Sequence, residues 1–352
     1  MSKLNVDTIE PEGASTTLTL GASGDTVDLS NAAVTLPDSA YLANRNMIIN
    51  GDFNVWQRAT SCTAGTYGYN DADRWFFGGN SGAGKQTTRQ SGTPQEGFQY
   101  HMKVDANGIS ASNWVGVEQA IETSTVVPLR SQTITVSVYA RKGASAQADN
   151  SYKLRLAQSN STDARSTLNF GTGLTDTAMS LTTSFVRYSA TVTVASDAVG
   201  ISCSIVLTAG SSTATADDYI EITGVQLEIG DTATPFEHKS FGQEFADCCR
   251  YYQNSYTSVK PDVAPARADC WTTTSWNDGN VNFPVFPYVM RSPPSVVLRN
   301  LANLTAGYCN SNGTERGAVA NGLGIKLVSY IVVTSGTANS YTIFSWELDA
   351  EL

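Results

Sequence analysis

A period of two is the strongest constraint on this chain. Residues 133–140 set Ile134, Val136 and Val138 on one face and Thr or Ser on the other, as a half-buried strand requires. Residues 185–194, 201–207 and 219–227 repeat the pattern. Short runs of this kind, punctuated by Gly, Ser, Asn and Asp and free of intervening amphipathic helices, predict an antiparallel sandwich or jelly roll over 45–238. A second β unit is expected over 256–352, with strands at 281–286, 295–299, 325–333 and 341–346. Pro284, Pro287, Pro293 and Pro294 fall at the ends and edges of those strands, where a missing donor is tolerated. The expected fold class is all-β.

One stretch breaks the alternation. Over 240–252, Ser240 and Gln243 fit a capping box, and Phe241, Phe245, Cys248 and Tyr252 form a narrow apolar stripe at helical spacing. So short a helix is marginal alone and must dock, either on its own chain or on partner copies around a symmetry axis. The first 44 residues form a thin arm. No aromatic precedes Tyr41, and Leu18 with Leu20, and Val27 with Leu29, share strand faces that a single thin chain cannot bury. The arm is either disordered or folds by pairing with copies of itself or with a larger particle; the regular alternation favours pairing.

Composition removes several functions. The chain carries 32 Asp and Glu against 22 Lys and Arg, a net charge of −10, with no basic cluster, so no nucleic-acid partner is expected. The 2 histidines, His101 and His238, stand in no paired metal-ligand spacing. Cys62, Cys203, Cys248, Cys249, Cys270 and Cys309 contain no C-x-x-C. They read as small buried thiols of a protein made in a reducing cytoplasm, because residues 1–10 lack the apolar core of a secretion signal. The longest apolar run, 327–333, is strand-sized, so no membrane insertion is expected. No G-x-S-x-G elbow is present, and Asp217 with Asp218, or Glu96, Glu118 and Glu122, make no recognisable acid–base pair. The reading is therefore not an enzyme, and no cofactor. Trp56, Trp75, Phe76 and Trp114 are expected in the core, and His101 on an edge strand.

Sugar recognition needs flat aromatic faces and amide or carboxylate groups for hydroxyls. Trp271, Trp276, Asn277 and Asp278 offer both on one polar turn. They are the candidate receptor-binding residues, set against burial of both tryptophans in the core or a subunit interface.

Four stretches carry a resemblance to a known family. They are Met1-Ser-Lys-Leu-Asn-Val-Asp-Thr-Ile-Glu10; Asn46-Met-Ile-Ile-Asn-Gly-Asp-Phe-Asn-Val-Trp-Gln-Arg58 followed by Ala72-Asp-Arg-Trp75; Gly224-Val-Gln-Leu-Glu-Ile-Gly-Asp-Thr-Ala-Thr-Pro-Phe-Glu-His238 running into Phe241 and Cys249-Arg-Tyr-Tyr252; and Phe286-Pro-Tyr-Val-Met-Arg-Ser-Pro-Pro-Ser295 with the closing Asp349-Ala-Glu-Leu352. Together they resemble tail-fibre or receptor-binding proteins of tailed, especially marine, bacteriophages. The second and third resemble the opening and exit of a carbohydrate-binding-module-like jelly roll.

The resemblance implies a virion structural protein of the tail, made in the host bacterial cytoplasm and assembled as a homotrimer. It implies an attachment arm (1–44) that joins other phage tail proteins through residues 1–40, a jelly roll (45–238), a connecting helix (239–255) and a C-terminal β-sandwich (256–352) contacting a host surface glycan or protein. Phe241, Phe245, Cys248 and Tyr252 are then candidates for the oligomer interface. Jelly rolls of this type often hold a structural calcium, and Asp52 and Glu221 occupy roughly the matching places. Two carboxylates fall short of the six to eight oxygens calcium takes, so no metal is expected. A tail connector or decoration protein without receptor binding, and a free carbohydrate-binding module, are the other readings.

Overall fold

The computed structural model describes residues 44–62, 65–80, 86–92, 95–159, 161–163, 173–256, 271–274, 280–281, 286–300, 303–311, 314–333 and 341–352, all within one compact unit, Leu42–Leu352. The expected arm lies outside the described residues, apart from Asn44.

Ten strands build two antiparallel sheets: β1 (Phe76–Gly79), β2 (Gln86–Gln90), β3 (His101–Asp105), β4 (Trp114–Ile121), β5 (Thr133–Lys142), β6 (Ser151–Ser159), β7 (Gly173–Ala178), β8 (Val186–Thr193), β9 (Gly200–Thr208) and β10 (Tyr219–Ile229). One sheet is ordered β1-β4-β9-β6-β7 and the other β2-β3-β10-β5-β8, so the chain crosses repeatedly between them. The period-two residues supply the filling. Val117, Leu154 and Ile205 of the first sheet join Val104, Val136 and Ile222 of the second in one buried cluster. Each such side chain contributes about 1.5–3 kcal/mol by leaving water.

Three expectations need correcting. His101 is not on an edge, because β3 pairs with both β2 and β10; the polar run Gln-Thr-Thr-Arg-Gln of β2 has no apolar period and hides that outer strand from sequence reading. Phe77, not Phe76, enters the core, while Phe76 turns outward and packs edge-on against Tyr69 at 5.4 Å. Trp114 is only half-buried, at the start of β4.

Beyond a four-residue helix α1 (Thr123–Val126) lies the docking helix α2 (Phe241–Cys249). Ser240 Oγ accepts the Gln243 N–H at 3.3 Å, one half of the expected capping box. The Gln243 side chain does not return to the cap; its Nε2 donates to Asn44 Oδ1. The helix ends sooner than the stripe suggests, for Tyr252 belongs to β11 (Tyr252–Asn254), where it pairs with Asp349.

The remaining strands are β12 (Trp271–Thr274), β13 (Asn280–Val281), β14 (Ser295–Arg299), β15 (Tyr308–Ser311), β16 (Thr314–Leu323), β17 (Val328–Val333) and β18 (Tyr341–Asp349). β18 is the hub, pairing with β11, β12, β14 and β15. Phe344, Trp346, Leu348, Leu298, Met290 and Ile331 form a second core cluster here.

A polar junction joins these parts, and the later three of the four stretches singled out in the sequence contribute to it. Residues 46–51 lie along a bulge in β10, with Met47 N–H donating to Leu227 O and Val225 N–H to Gly51 O, each at 2.9 Å. A Cβ on Gly51 would stand 2.1 Å from the Val225 carbonyl oxygen, so only glycine fits this close approach. The bulge itself turns at Gly224, whose φ of +60° suits glycine and whose Cβ would meet the Phe98 ring at 2.6 Å.

Asn50 then knits the next turn: its Nδ2 donates to Val55 O and Asp73 O, and its Oδ1 accepts Val55 N–H. Arg58 reaches Asp349 at 3.1 Å and Glu351 at 3.3 Å, with its guanidinium 3.7 Å from the Tyr252 ring centroid. Arg74 pairs with Glu351, donates to Ala120 O at 2.7 Å and lies 3.5 Å from the Tyr251 ring centroid. The last residues of the chain are thereby clamped to the opening turn of the jelly roll.

Candidate functional site

Buried charge governs the junction. Burial disfavours the Arg58 guanidinium, but Glu351, Asp349 and Asp73 outweigh it and hold the group above the ordinary arginine value. Burial pushes Asp73 up to about 6 despite the pull of Arg58, and Asp71 up to about 6. Asp73 and Glu351 are engaged with Arg58, and Asp71 with Thr87 and Ala72.

Beside the junction the same elements leave a cleft of about 500 Å³, within the usual range for ligand sites. Glu244 of α2 accepts the Asn50 N–H, which pins the helix to the turn. The first turn of the helix consequently projects outward, with Phe241 61% exposed and stacked on Phe245 at 5.8 Å and 22°. Phe245 meets Tyr288 edge-on at 6.1 Å. Tyr100, just before β3, and Tyr256, just after β11, add two more rings to the lining. Arg89 of β2 stands 4.8 Å from the Tyr100 ring centroid, and Gln99 Nε2 donates to Tyr100 Oη at 3.1 Å. Asn54, Gln57 and Asn254 complete the polar lining, with Asn254 Nδ2 fixed on Gln57 O at 3.2 Å. Ring faces that can stack on pyranose C–H groups thus lie beside amides anchored by the protein, Asn54 on Asp52, Gln57 on Asp73 and Tyr252 O, and Asn254 on Gln57 O.

Two other hollows lack that combination. One of about 420 Å³ is lined by Arg58, Tyr69, Asn70, Tyr252, Glu347 and Asp349, whose charges pair with groups of the protein itself. Another, of about 390 Å³, is lined by glycine and apolar side chains, Leu298, Ala318 and Leu323 among them, and has no ring to stack on a sugar.

The residues expected from sequence fare differently. Phe241 and Phe245 line the cleft, whereas Cys248 and Tyr252 are covered by their own chain at 0% and 2% exposure. The inner half of the stripe therefore docks within the chain. Trp271 lies on β12 opposite Phe344, and Trp276, Asn277 and Asp278 fall outside the described residues.

Asp52 is not solvated. It is buried, which raises its carboxyl above the ordinary value against hydrogen bonds from Asn54 and its own backbone, and Asn54 Nδ2 donates to its Oδ2. Glu221 does not point to solvent either, but faces Arg141 and His101. Among the described residues, no group of three or more His, Cys, Asp or Glu is arranged to hold a metal ion, and no helix is long and apolar enough to cross a membrane. Cys62, Cys203, Cys248, Cys249 and Cys309 are free and buried, as expected, and burial pushes Cys203 up to about 12. Cys270 lies outside the described residues.

Sequence reading missed Arg89, Gln99, Tyr100, Asn254 and Tyr256. They come from separate segments, and no spacing along the chain links them.

No protein-family profile and no curated protein matches the chain. Among solved structures it is similar to the enzymatically active domain of tailspike protein 4 of bacteriophage CBA120, at 10% identity and a TM-score of 0.35, over 53% of this chain and 21% of that one. It is also similar to TmCBM61 in complex with β-1,4-galactotriose, at 12% identity and a TM-score of 0.33, over 53% of this chain and 100% of that one. A third likeness is the CBM22-1 xylan-binding domain from Paenibacillus barcinonensis, at 11% identity and a TM-score of 0.30, over 45% and 87%. The chain thus spans about a fifth of the tailspike chain. The two-sheet architecture rests on the strand registers themselves.

Proposed function

We propose that this chain is a non-catalytic, glycan-binding component of a bacteriophage tail fibre. In this reading it joins the tail through residues 1–40, assembles as a homotrimer in the virion, and holds a host-surface glycan in the cleft beside α2. The division at 44, 238 and 255 belongs to the proposal, as does a second, distal contact at Trp271, Trp276, Asn277 and Asp278. The observation that carries glycan binding is the cleft, where outward-facing Phe241 and Phe245 share a lining with Tyr100, Tyr256 and several amides. The phage context is supported by the four sequence stretches that resemble tail-fibre proteins.

Truncation is a poor test. Removing 256–352 would strip Asp349 and Glu351 from buried Arg58 and Arg74, and loss of adsorption would then report unfolding. The sharper experiment presents the full chain to an array of bacterial surface glycans beside a Phe241→Ala/Tyr100→Ala variant with an unchanged melting temperature. Binding by the parent and its loss in the variant are expected. A blank array for both proteins would move the reading to a tail connector without receptor binding.

A further inference from the structure

The cleft departs from the charge balance of its own chain. The protein carries 32 Asp and Glu against 22 Lys and Arg, yet among the described residues no carboxylate lines the cleft and one cation, Arg89, does. Asp52, two residues from Asn54, is buried and accepts from the Asn54 amide. Several other arginines of the chain meet acids, among them Arg58 and Arg74 at the junction, Arg141 with Glu221, Arg250 with Glu122 and Arg299 with Glu347, while Arg130 and Arg187 donate to carbonyl and hydroxyl oxygens. Among the described residues no carboxylate pairs with Arg89. Its guanidinium rests instead on the Tyr100 ring, whose hydroxyl is held by Gln99. Stacking fixes the plane of a guanidinium and leaves its edge donors free for a second partner.

From this, and resting on the glycan-binding reading above, we infer that the cleft is selective for sugars bearing an anionic group, with Arg89 as the residue that sets the preference. The rings take the sugar face, the amides take hydroxyls, and the fork of Arg89 takes the two oxygens of a carboxylate or phosphate. A carboxylate in the lining would serve hydroxyls of a neutral sugar well but would repel an acidic one; among the described residues the cleft has none. The inference also answers a difficulty of the net charge. An acidic protein gains no long-range attraction to an anionic surface, and Arg89 is placed to supply a local, short-range one.

The test is calorimetry of the full chain, at fixed ionic strength, with oligogalacturonate and with the same oligomer as its methyl ester, which keeps the skeleton and removes the charge. A second pair, mannose 6-phosphate and mannose, separates a phosphate from a carboxylate source. At least one anionic partner should bind tenfold or more tighter than its neutral counterpart. Arg89→Gln should bring that ratio close to one, a loss of the size expected when a charge-assisted hydrogen bond is removed. Arg89→Lys, which keeps the charge without the fork, should retain part of the preference.

Equal affinity for charged and neutral forms, with Phe241→Ala still weakening both, would overturn the anion preference and leave glycan binding standing. No binding by either pair or by any arrayed glycan, with no effect of Phe241→Ala, would overturn both.

Discussion

The junction and the cleft beside it use one motif, an arginine lying on a tyrosine ring, for opposite purposes. In the junction Arg58 lies 3.7 Å from the Tyr252 ring and Arg74 3.5 Å from the Tyr251 ring, and both are buried and paired with acids at the end of the chain. In the cleft Arg89 lies 4.8 Å from the Tyr100 ring, half-exposed and without such a partner. The difference teaches that the pair is a device for holding a guanidinium still, and that the third partner decides its use. An acid of the same chain makes a clamp; an open edge makes a receptor.

The largest effect expected from breaking this comparison is on Arg74. Arg74→Gln takes one of its two arginines from buried Glu351, leaving Arg58, and should cost about 3 kcal/mol, read as a lower midpoint in urea unfolding with the transition slope unchanged. A loss below about 1 kcal/mol would mean that Glu351 finds water, and the clamp would have to be abandoned.

Next is pH. Burial pushes Glu244, the residue pinning α2, up to about 7 against Asn50 and Lys239, while Asp52 and Asp247 push the same way as burial. Its ordinary value is 4.5, so the folded state binds this proton more tightly than the unfolded one. Stability is then full below about pH 4.5 and falls by roughly 2–3 kcal/mol as pH rises to about 7. Glu244→Gln keeps an acceptor for the Asn50 N–H and should remove that slope. Melting curves from pH 4 to 8 should show parent and variant alike at the acid end and the variant more stable at the alkaline end; parallel curves throughout would refute the assignment.

Smaller still is Phe241→Ala, which should weaken glycan binding at least tenfold, about 1.4 kcal/mol. A ring 61% exposed has little burial to lose, so the melting temperature should hardly move. The smallest effect is on the fold when Arg89 is replaced. Arg89→Gln should change unfolding free energy by no more than about 0.5 kcal/mol, in direct contrast to Arg74→Gln. A large loss in both would show that the cleft arginine is structural as well.

Much of the sandwich was legible because strand faces are written locally. The expected strands at 133–140, 185–194, 201–207 and 219–227 correspond to β5, β8, β9 and β10. β2 was not legible: its residues are polar, and it is held by pairing with β3 and not by an apolar face of its own. The junction motifs were visible as motifs, yet their purpose was not, since Arg58 and Glu351 meet across 293 residues. Of the cleft, Phe241 and Phe245 stood out through their helical spacing, and residues 54–57 as part of a stretch whose place in the cleft was not visible.

Taken alone, the amino-acid sequence determined the all-β class, the start of α2 at its Ser240 cap, and a set of arginines and aromatics too costly to leave unpartnered. These follow from backbone periodicity and side-chain chemistry, which act over a few residues. Only the tertiary structure decided that Arg58 and Arg74 are neutralised while Arg89 stays open, because that depends on where Asp349 and Glu351 come to rest after the whole chain has folded. Arg58, Arg74 and Arg89 are the same residue in the sequence; the fold gives two of them a carboxylate and leaves the third at the mouth of a cleft.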